Sequence, residues 1–345
     1  MGGDTNTGKP DEGAGEHGNN SGNHGDTGDV GESGSTGNNG SGNSGSGNSG
    51  SGSSTKNFWK EQSEKYGKDV ADLFESYGDD GKRLIEKYGD DIVNATKDFA
   101  KSDAKEAIEL INTYGDDALK MVKSKQSGNL VKEVCEGLRE NNISYDDFKR
   151  YKNFGKAELN ELKKTNKAEY DKVTKVMKEI RDRIKINDGT RMKKVLTDAS
   201  VKKHYIGNNS NEVSGFVSRA EDSRYLSHYY DDVVETNRLD YLVDGVRDFP
   251  EGGNTHWEME FEIANAEDMS QIKTPYGEHY GGTVNEPEPF KGSGYTGGRN
   301  DTTIAEWKIG STIKIKDGAT LTKYVDGEIV EQYKYSKDLK RWIKQ

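Results

Sequence analysis

Residues 255–263 read Thr-His-Trp-Glu-Met-Glu-Phe-Glu-Ile, and this stretch decides the fold class. Large apolar side chains at Trp257, Met259, Phe261 and Ile263 alternate with glutamates. A period of two predicts a β-strand that buries one face and turns the other to solvent. Because helical spacing dominates the chain before residue 188, we expect an α+β protein in which a helical part precedes a sheet.

Further strands are predicted on both sides of this one. Residues 212–218 and 302–309 have strand character, and 322–325 and 328–335 flank Asp326-Gly327, a strong hairpin signal. Between the first two strands, residues 220–230 predict a helix that Ser218 caps. These elements define a compact α+β domain over residues 189–345.

Residues 56–188 carry apolar side chains at helical spacing and a repeated motif. Tyr-Gly pairs begin at Tyr66, Tyr77, Tyr88 and Tyr114, and Asp-Asp follows the last three. Glycine supplies a left-handed helix end and the first Asp can cap the next helix, which favours short helical arms broken at each Gly-Asp. The alternative is one continuous helix with an eleven-residue apolar repeat.

Composition excludes several protein classes. Before Thr55 lie 18 of the 42 glycines, so residues 1–55 are predicted to be a disordered linker rich in Gly, Ser and Asn. The single cysteine, Cys135, cannot close an internal disulfide, and zinc-ligand spacing is missing. The sequence shows neither an 18-residue apolar run nor a secretory signal, so stable membrane insertion is not expected.

Charge argues against a nucleic-acid partner. Residues 201–345 hold 18 Lys and Arg against 25 Asp and Glu, a net charge of −7. Domains that bind polynucleotides normally show a basic stripe. The basic residues here cluster only near 202–203 and 337–344. The Asp pairs lack calcium-loop spacing, so no metal is expected either.

A Gly-rich loop with aromatic residues is the first candidate binding element. It spans residues 287–299 and includes Phe290, Gly294, Tyr295 and Thr296. Glycines let a ligand approach the backbone, and Phe290 or Tyr295 can stack on a ring. The loop lacks the Gly-Lys-Ser/Thr of a phosphate loop, and a predicted strand, not a helix, follows it.

Four polar residues in the predicted strands or at their ends complete the candidate site. Glu306 can stabilise a cationic, oxocarbenium-like transition state, and Arg219 suits bidentate binding of a diphosphate. Thr255 can orient a substrate or brace Glu306, and His256 follows it.

The chain resembles bacterial polymorphic toxins of Gram-positive bacteria through its Tyr-Gly-Asp-Asp pre-toxin repeats. Its C-terminal part resembles the ADP-ribosyltransferase/NAD-glycohydrolase toxin fold through the order Arg219, Thr255, Glu306. The resemblance implies that NAD is the substrate, that Arg219 contacts its phosphates and that Glu306 holds its ribose. Arginine-modifying members carry a second Glu where this chain has Ile304, which favours NAD glycohydrolysis.

The same resemblance implies a biological setting. It predicts a cognate immunity protein, a delivery partner bound by the helical region, secretion by a specialised route and action in the target-cell cytoplasm. Two alternatives stay open at this point. One is a metal-independent RNase using His256, Glu306 and a lysine such as Lys308. The other is a non-enzymatic binding or adhesion protein.

Overall fold

The computed structural model describes residues 50–154, 156–241, 245–276, 294–296 and 301–345. Residues 51–345 form one compact unit. Most of the predicted linker and the candidate residue Phe290 lie outside the described residues. The first helix begins at Gly50, inside the predicted linker.

In the described part of the chain, ten helices precede the sheet. They are α1 Gly50–Tyr66, α2 Lys68–Glu75, α3 Gly78–Tyr88, α4 Asp90–Thr96, α5 Lys101–Tyr114, α6 Asp116–Lys123, α7 Gly128–Asn141, α8 Tyr145–Lys152, α9 Lys156–Thr165 and α10 Lys167–Arg183. Three short helices follow within the sheet-forming part, namely α11 Asp198–Ser200, which runs into a π-helical turn Val201–Ile206, α12 Tyr230–Asn237 and α13 Ala266–Ser270.

Glycines with positive φ separate successive helices in the first part. Gly89 (φ 51°) lies between α3 and α4, and Gly115 (φ 67°) lies between α5 and α6. The aspartate that follows each glycine is the first helical residue and makes no side-chain cap, unlike our expectation. It accepts a hydrogen bond from an earlier tyrosine instead: Tyr66 Oη donates to Asp90 Oδ1 at 2.6 Å. This bond ties the end of α1 to the start of α4, and Tyr88 Oη ties the end of α3 to Asp116 at the start of α6 in the same way, at 2.7 Å.

Among the residues that the structure describes, eight strands form one antiparallel sheet. They are β1 Arg191–Leu196, β2 Glu212–Arg219, β3 Thr255–Glu262, β4 Ile272–Lys273, β5 Glu306–Lys314, β6 Thr320–Val325, β7 Glu328–Ser336 and β8 Arg341–Lys344. Their order across the sheet is β4-β5-β2-β1-β3-β6-β7-β8. The predicted strand at 212–218 and the hairpin at Asp326-Gly327 are confirmed, and the strand predicted at 302–309 begins later, at Glu306.

The helix predicted over residues 220–230 is wrong. Only a single 3₁₀ turn, Glu221–Ser223, follows β2, and the next α-helix starts at Tyr230. The buried Asp222 carboxylate accepts from Arg219 Nε at 3.0 Å. This ion pair fixes the chain in a tight turn directly after the strand, because a buried charge requires its partner.

The first face of the sheet packs into the main core. Trp257, Met259 and Phe261 are fully buried, and the core extends without a break from Trp59 in α1 to Trp342 in β8. The Arg181 guanidinium of α10 lies 4.3 Å from the ring centroid of Trp307. The helical and sheet-forming parts therefore share one core.

The close approach of α7 to α10 gives a prediction about stability. A Cβ added to Gly137 would lie 2.8 Å from Ile180 Cγ1 and 3.3 Å from Ile180 Cα. We expect Gly137→Ala to lower the free energy of unfolding by about 1–3 kcal/mol through overpacking. Denaturant titration measures it, with the exposed Lys132→Ala on the same helix as control. Equal free energies of unfolding for the two variants would contradict the prediction, because they would show that α7 and α10 move apart to accept the added methyl group without cost.

The architecture confirms the α+β class. It does not support the ADP-ribosyltransferase type, because a single continuous antiparallel sheet places the three residues that carried the resemblance at separate positions. Among the described residues, no helix has the length and apolarity needed to cross a membrane.

Candidate functional site

The second face of the sheet is polar, and the register shows which residues share it. Lys193 in β1 pairs with Ser218 in β2, and Ser218 pairs with Glu306 in β5. Lys193 Nζ also reaches Glu258 in β3, which places that residue on the same face. We call this surface the polar face. Neighbouring strands lie about 4.8 Å apart. Three such spacings, about 14 Å, separate β5, which carries Glu306, from β3, which carries Glu258.

Four side chains at one end of the polar face form what we call the imidazole cluster: Lys193, His228, His256 and Glu258. Glu258 Oε1 lies 3.1 Å from Lys193 Nζ, 3.3 Å from His228 Nδ1 and 3.7 Å from His256 Nε2. His228 comes from the segment before α12, which crosses this end of the sheet. Three nitrogen groups thus converge on one carboxylate oxygen.

The cluster is buried and electrostatically polarised. Glu258 is 3% exposed. Burial by itself raises the pKa of this carboxyl, but Lys193, His228 and His256 outweigh it and hold the pKa well below its ordinary value. Glu258 is therefore an anion at neutral pH, held by a lysine and oriented toward two imidazoles.

His256 is the least satisfied polar group of the cluster. It is 1% exposed, and neither ring nitrogen has a hydrogen-bond partner. Buried polar groups are almost always paired, and the exceptions call for a functional explanation. The ring is positioned by packing: it lies parallel to Tyr324 (centroids 5.1 Å apart), and His228 lies parallel to the same ring at 4.3 Å.

The cluster also contains the donor atoms of a metal site. His228, His256 and Glu258 each offer a ligand atom, all within 4.8 Å of one another. A His₂Glu set is a known zinc donor set. However, Glu258 Oε1, which lies 3.3 Å from His228 Nδ1, already lies 3.1 Å from the Lys193 ammonium, and two cations at one oxygen repel each other. The arrangement therefore suits proton transfer better than metal binding.

Glu306 occupies the other end of the polar face. Burial raises the pKa of its carboxyl to about 8, and Arg181 and Lys194 partly offset this. Lys194 Nζ donates to the Phe216 carbonyl at 3.2 Å. Burial lowers the pKa of Lys194 to about 8, and Glu306 opposes that shift. At neutral pH Glu306 is mostly a neutral acid, which weakens it as an electrostatic stabiliser of a cation.

The raised pKa of Glu306 predicts a pH dependence of stability. Between its ordinary pKa of 4.5 and the folded value of about 8, the folded chain keeps a proton that the unfolded chain has lost. The free energy of unfolding therefore falls as pH rises through this window. We expect the free energy of unfolding of Glu306→Gln to decrease less steeply with pH than that of the wild type, as measured by urea titration at several pH values. The exposed Glu328→Gln should keep the wild-type slope, and an equal slope in all three proteins would contradict the assignment.

Arg219 is held inside the protein and does not face a ligand. Its side chain is 3% exposed and lies on the first face of the sheet, with Nη2 2.8 Å from Glu133 Oε2 and Nε 3.0 Å from Asp222 Oδ1. Nη1 donates to the Lys185 carbonyl at 3.1 Å. Arg219 follows Ser218, the partner of Glu306, so alternation turns the two side chains to opposite faces. The structure does not bring the predicted guanidinium and carboxylate into one groove.

Thr255 lies far from both of these residues. It pairs with Val325 at the start of β3, whereas Arg219 pairs with Met192, whose β3 partner is Phe261. Six residues of strand separate Thr255 from Phe261, which is about 20 Å. Thr255 Oγ1 donates to Asn254 Oδ1 at 2.8 Å. It therefore braces a loop and not the Glu306 carboxylate.

The described part of the predicted binding loop joins the helices to the sheet. Tyr295 is 1% exposed and contacts Phe148 edge to face. The Gly294 carbonyl accepts from Arg181 Nε at 2.6 Å, and Thr296 Oγ1 donates to the Thr236 carbonyl at 2.7 Å. These three residues connect the sheet-forming part to helices of the protein. Tyr295 can stack on a ligand only if its contact with Phe148 is broken.

Sequence reasoning selected His256 and missed its partners. Glu258 appeared to be one of three solvent-facing glutamates, yet it is buried. The available signal was the i, i+2 spacing of His256 and Glu258, which puts both on one face of a strand. Lys193 and His228 gave no local signal, because only strand pairing and chain crossing bring them to Glu258.

Comparison with known proteins adds no assignment. No protein-family model, no curated protein and no solved structure matches the chain. The function must therefore be argued from the site itself.

Proposed function

We propose that the imidazole cluster cleaves RNA by metal-independent acid–base catalysis. The observation that supports this most is the pair of imidazoles beside one buried anionic carboxylate, with neither nitrogen of His256 in a hydrogen bond. Paired proton donors and acceptors near neutral pH are what phosphodiester transfer to a 2′-hydroxyl requires. This proposal keeps His256 from the RNase alternative and replaces Glu306 and Lys308 by Glu258 and Lys193.

The proposed reaction divides two proton transfers between the histidines. His256, whose nitrogens make no hydrogen bond within the protein, takes the proton of the ribose 2′-hydroxyl; because the ring is 1% exposed, the residues that cover it must move for the substrate to reach it. The 2′-oxygen forms a bond to phosphorus as the bond from phosphorus to the 5′-oxygen breaks. His228, whose Nδ1 is oriented by Glu258 and whose side chain is 32% exposed, gives a proton to the leaving 5′-oxygen. The products are a 2′,3′-cyclic phosphate and a 5′-hydroxyl.

Lys193 and Glu258 act as positioning residues in this proposal. The ion pair between Nζ and Oε1 is buried on both sides, so it fixes the carboxylate rigidly. The carboxylate in turn fixes the His228 ring. Buried polar residues of this kind are costly, which argues that they serve a purpose other than stability.

NAD hydrolysis is a second candidate, favoured by the anionic Glu258 beside the Tyr324 ring. A buried carboxylate can stabilise the ribosyl cation that forms as nicotinamide leaves. The assignment differs from the sequence-based one, because Glu258 takes the role expected of Glu306. Arginine modification is not part of this candidate.

Both candidates fit an effector of the polymorphic-toxin class. In that setting the chain would be secreted by a specialised route, act in the target-cell cytoplasm and be neutralised by an immunity protein. The helical part would contact the delivery partner. An RNA substrate departs from the expectation of no nucleic-acid partner, which rested on net charge alone.

A single incubation series separates the candidates. The full chain is mixed, in excess EDTA, with a single-stranded RNA, a DNA of the same sequence, and NAD. RNA cleavage with intact DNA supports the RNase proposal. Intact RNA with released nicotinamide supports NAD hydrolysis and overturns the RNase proposal. If RNA and NAD both stay intact, both proposals are overturned.

A further inference from the structure

Beside the imidazole cluster, the polar face carries an exposed aromatic ring among lysines. Phe216 in β2 is 44% exposed, although it is a large apolar residue in the middle of a sheet. It pairs with Lys308 in β5, and Lys308 Nζ lies 5.7 Å from the Phe216 ring centroid. Lys308 in turn pairs with Lys273 in β4. We call Phe216, Lys308 and Lys273 the basic patch.

Strand register places the basic patch in line with the imidazole cluster. The β1–β2 pairing ends at Lys193 and Ser218. Phe216 and Val195 each lie two positions beyond it, so Phe216 is on the same face as Val195 and its pair Glu258 and near their row. Two strand spacings, at least about 10 Å, separate Phe216 from Glu258. A ligand lying across the strands can contact both.

Two features of the basic patch match one kind of ligand. An exposed ring offers a stacking surface for a base, whatever its identity. Two lysines on adjacent strands offer cations for phosphates, and both are exposed. The acidic composition of the whole C-terminal part therefore does not describe this surface.

We infer that the basic patch binds one nucleotide of a single-stranded RNA whose neighbouring phosphodiester lies in the imidazole cluster. The base stacks on Phe216, and Lys308 and Lys273 contact the adjoining phosphates. Choosing RNA as the strand rests on the proposed function. The stacking and charge contacts rest on the basic patch itself.

The test uses a ligand that cannot be cleaved, so binding is measured apart from catalysis. A fluorescein-labelled, single-stranded 2′-O-methyl oligoribonucleotide is titrated with the full chain, and anisotropy gives Kd. We expect Phe216→Ala to raise Kd about 5- to 100-fold, the usual range for losing one stacked base. Lys308→Gln and Lys273→Gln should each lower the slope of log Kd against log salt by about 0.7.

Control variants remove similar side chains elsewhere on the surface. Ile329→Ala removes an exposed apolar residue of β7, and Lys203→Gln removes an exposed lysine of the π-helical turn. Neither should change Kd or the salt slope. Unchanged binding in Phe216→Ala and Lys308→Gln, or no binding by the wild type, overturns the inference.

The outcomes also separate this inference from the proposed function. Specific binding of the probe through Phe216, together with intact RNA in the cleavage assay, leaves the basic patch standing and removes the RNase proposal. If RNA is cleaved but the basic-patch variants do not change Kd, the RNase proposal stands and the inference about the basic patch is overturned.

Discussion

Replacing His256 by Gln is expected to reduce RNA cleavage by about 10²- to 10⁴-fold, the range that one positioned acid or base contributes. Glutamine retains polarity and similar size but cannot take up a proton. Because His256 is 1% exposed and accepts no hydrogen bond within the protein, its loss removes proton transfer more than structure. Initial cleavage rates at pH 7, with thermal unfolding measured in parallel, give the result.

Two further variants make this prediction decisive. His228→Gln changes a side chain that is 32% exposed, so it tests the same mechanism without disturbing the core. His204→Gln changes an exposed histidine of the π-helical turn and should leave the rate within twofold. Folded His256→Gln and His228→Gln proteins with wild-type rates would remove the imidazole cluster from the chemistry.

Replacing Arg219 by Met is expected to lower the free energy of unfolding by about 3–5 kcal/mol, the largest stability effect we predict. The change leaves Asp222, which is 1% exposed, without the guanidinium that accompanies it in the interior. Glu133 loses the same partner. Urea titration measures the loss, and adding Asp222→Leu should recover part of it because the unpaired charge is then gone.

An exposed arginine supplies the matched control. Arg224 contacts Asp103 at 2.8 Å but its side chain is 57% exposed, so Arg224→Met should cost no more than about 1 kcal/mol. Similar losses for Arg219→Met and Arg224→Met would mean that Arg219 is not structurally locked. That result would return it to consideration as a phosphate clamp.

The sequence was sufficient for features encoded locally. Alternation at Trp257, Met259 and Phe261 identified the central strand, and Asp326-Gly327 identified the hairpin, because each depends on neighbouring residues. Glycines with positive φ at Gly89 and Gly115 end helices for the same local reason. The α+β class follows from such patterns alone.

The site could be predicted only in part, because it depends on which strands become neighbours. Glu306 and Arg219 are close in register, yet alternation turns them to opposite faces. Thr255 lies at the start of β3, where it pairs with Val325 of β6, far from Arg219 and Glu306. Glu258 becomes buried only when Lys193 is placed beside it by β1, and no local pattern encodes that pairing.

The proposed RNA contact depends on local charge, whereas the prediction of no nucleic-acid partner rested on net charge. Acidic residues dominate residues 201–345 as a whole, but the surface around Phe216 presents Lys308 and Lys273. Phosphates respond to the local field, which falls off within about 10 Å at moderate salt. A small basic region is enough for the strand contacts that we infer.

The chemical end groups of the cleaved RNA test the central claim most directly. We predict that the wild-type chain, in excess EDTA, leaves a 2′,3′-cyclic phosphate on one fragment and a 5′-hydroxyl on the other, as read by mass spectrometry. Fragments ending in a 3′-hydroxyl and a 5′-phosphate, formed only when a divalent metal is added, would show that His228, His256 and Glu258 hold an ion and would contradict acid–base catalysis by the imidazole cluster.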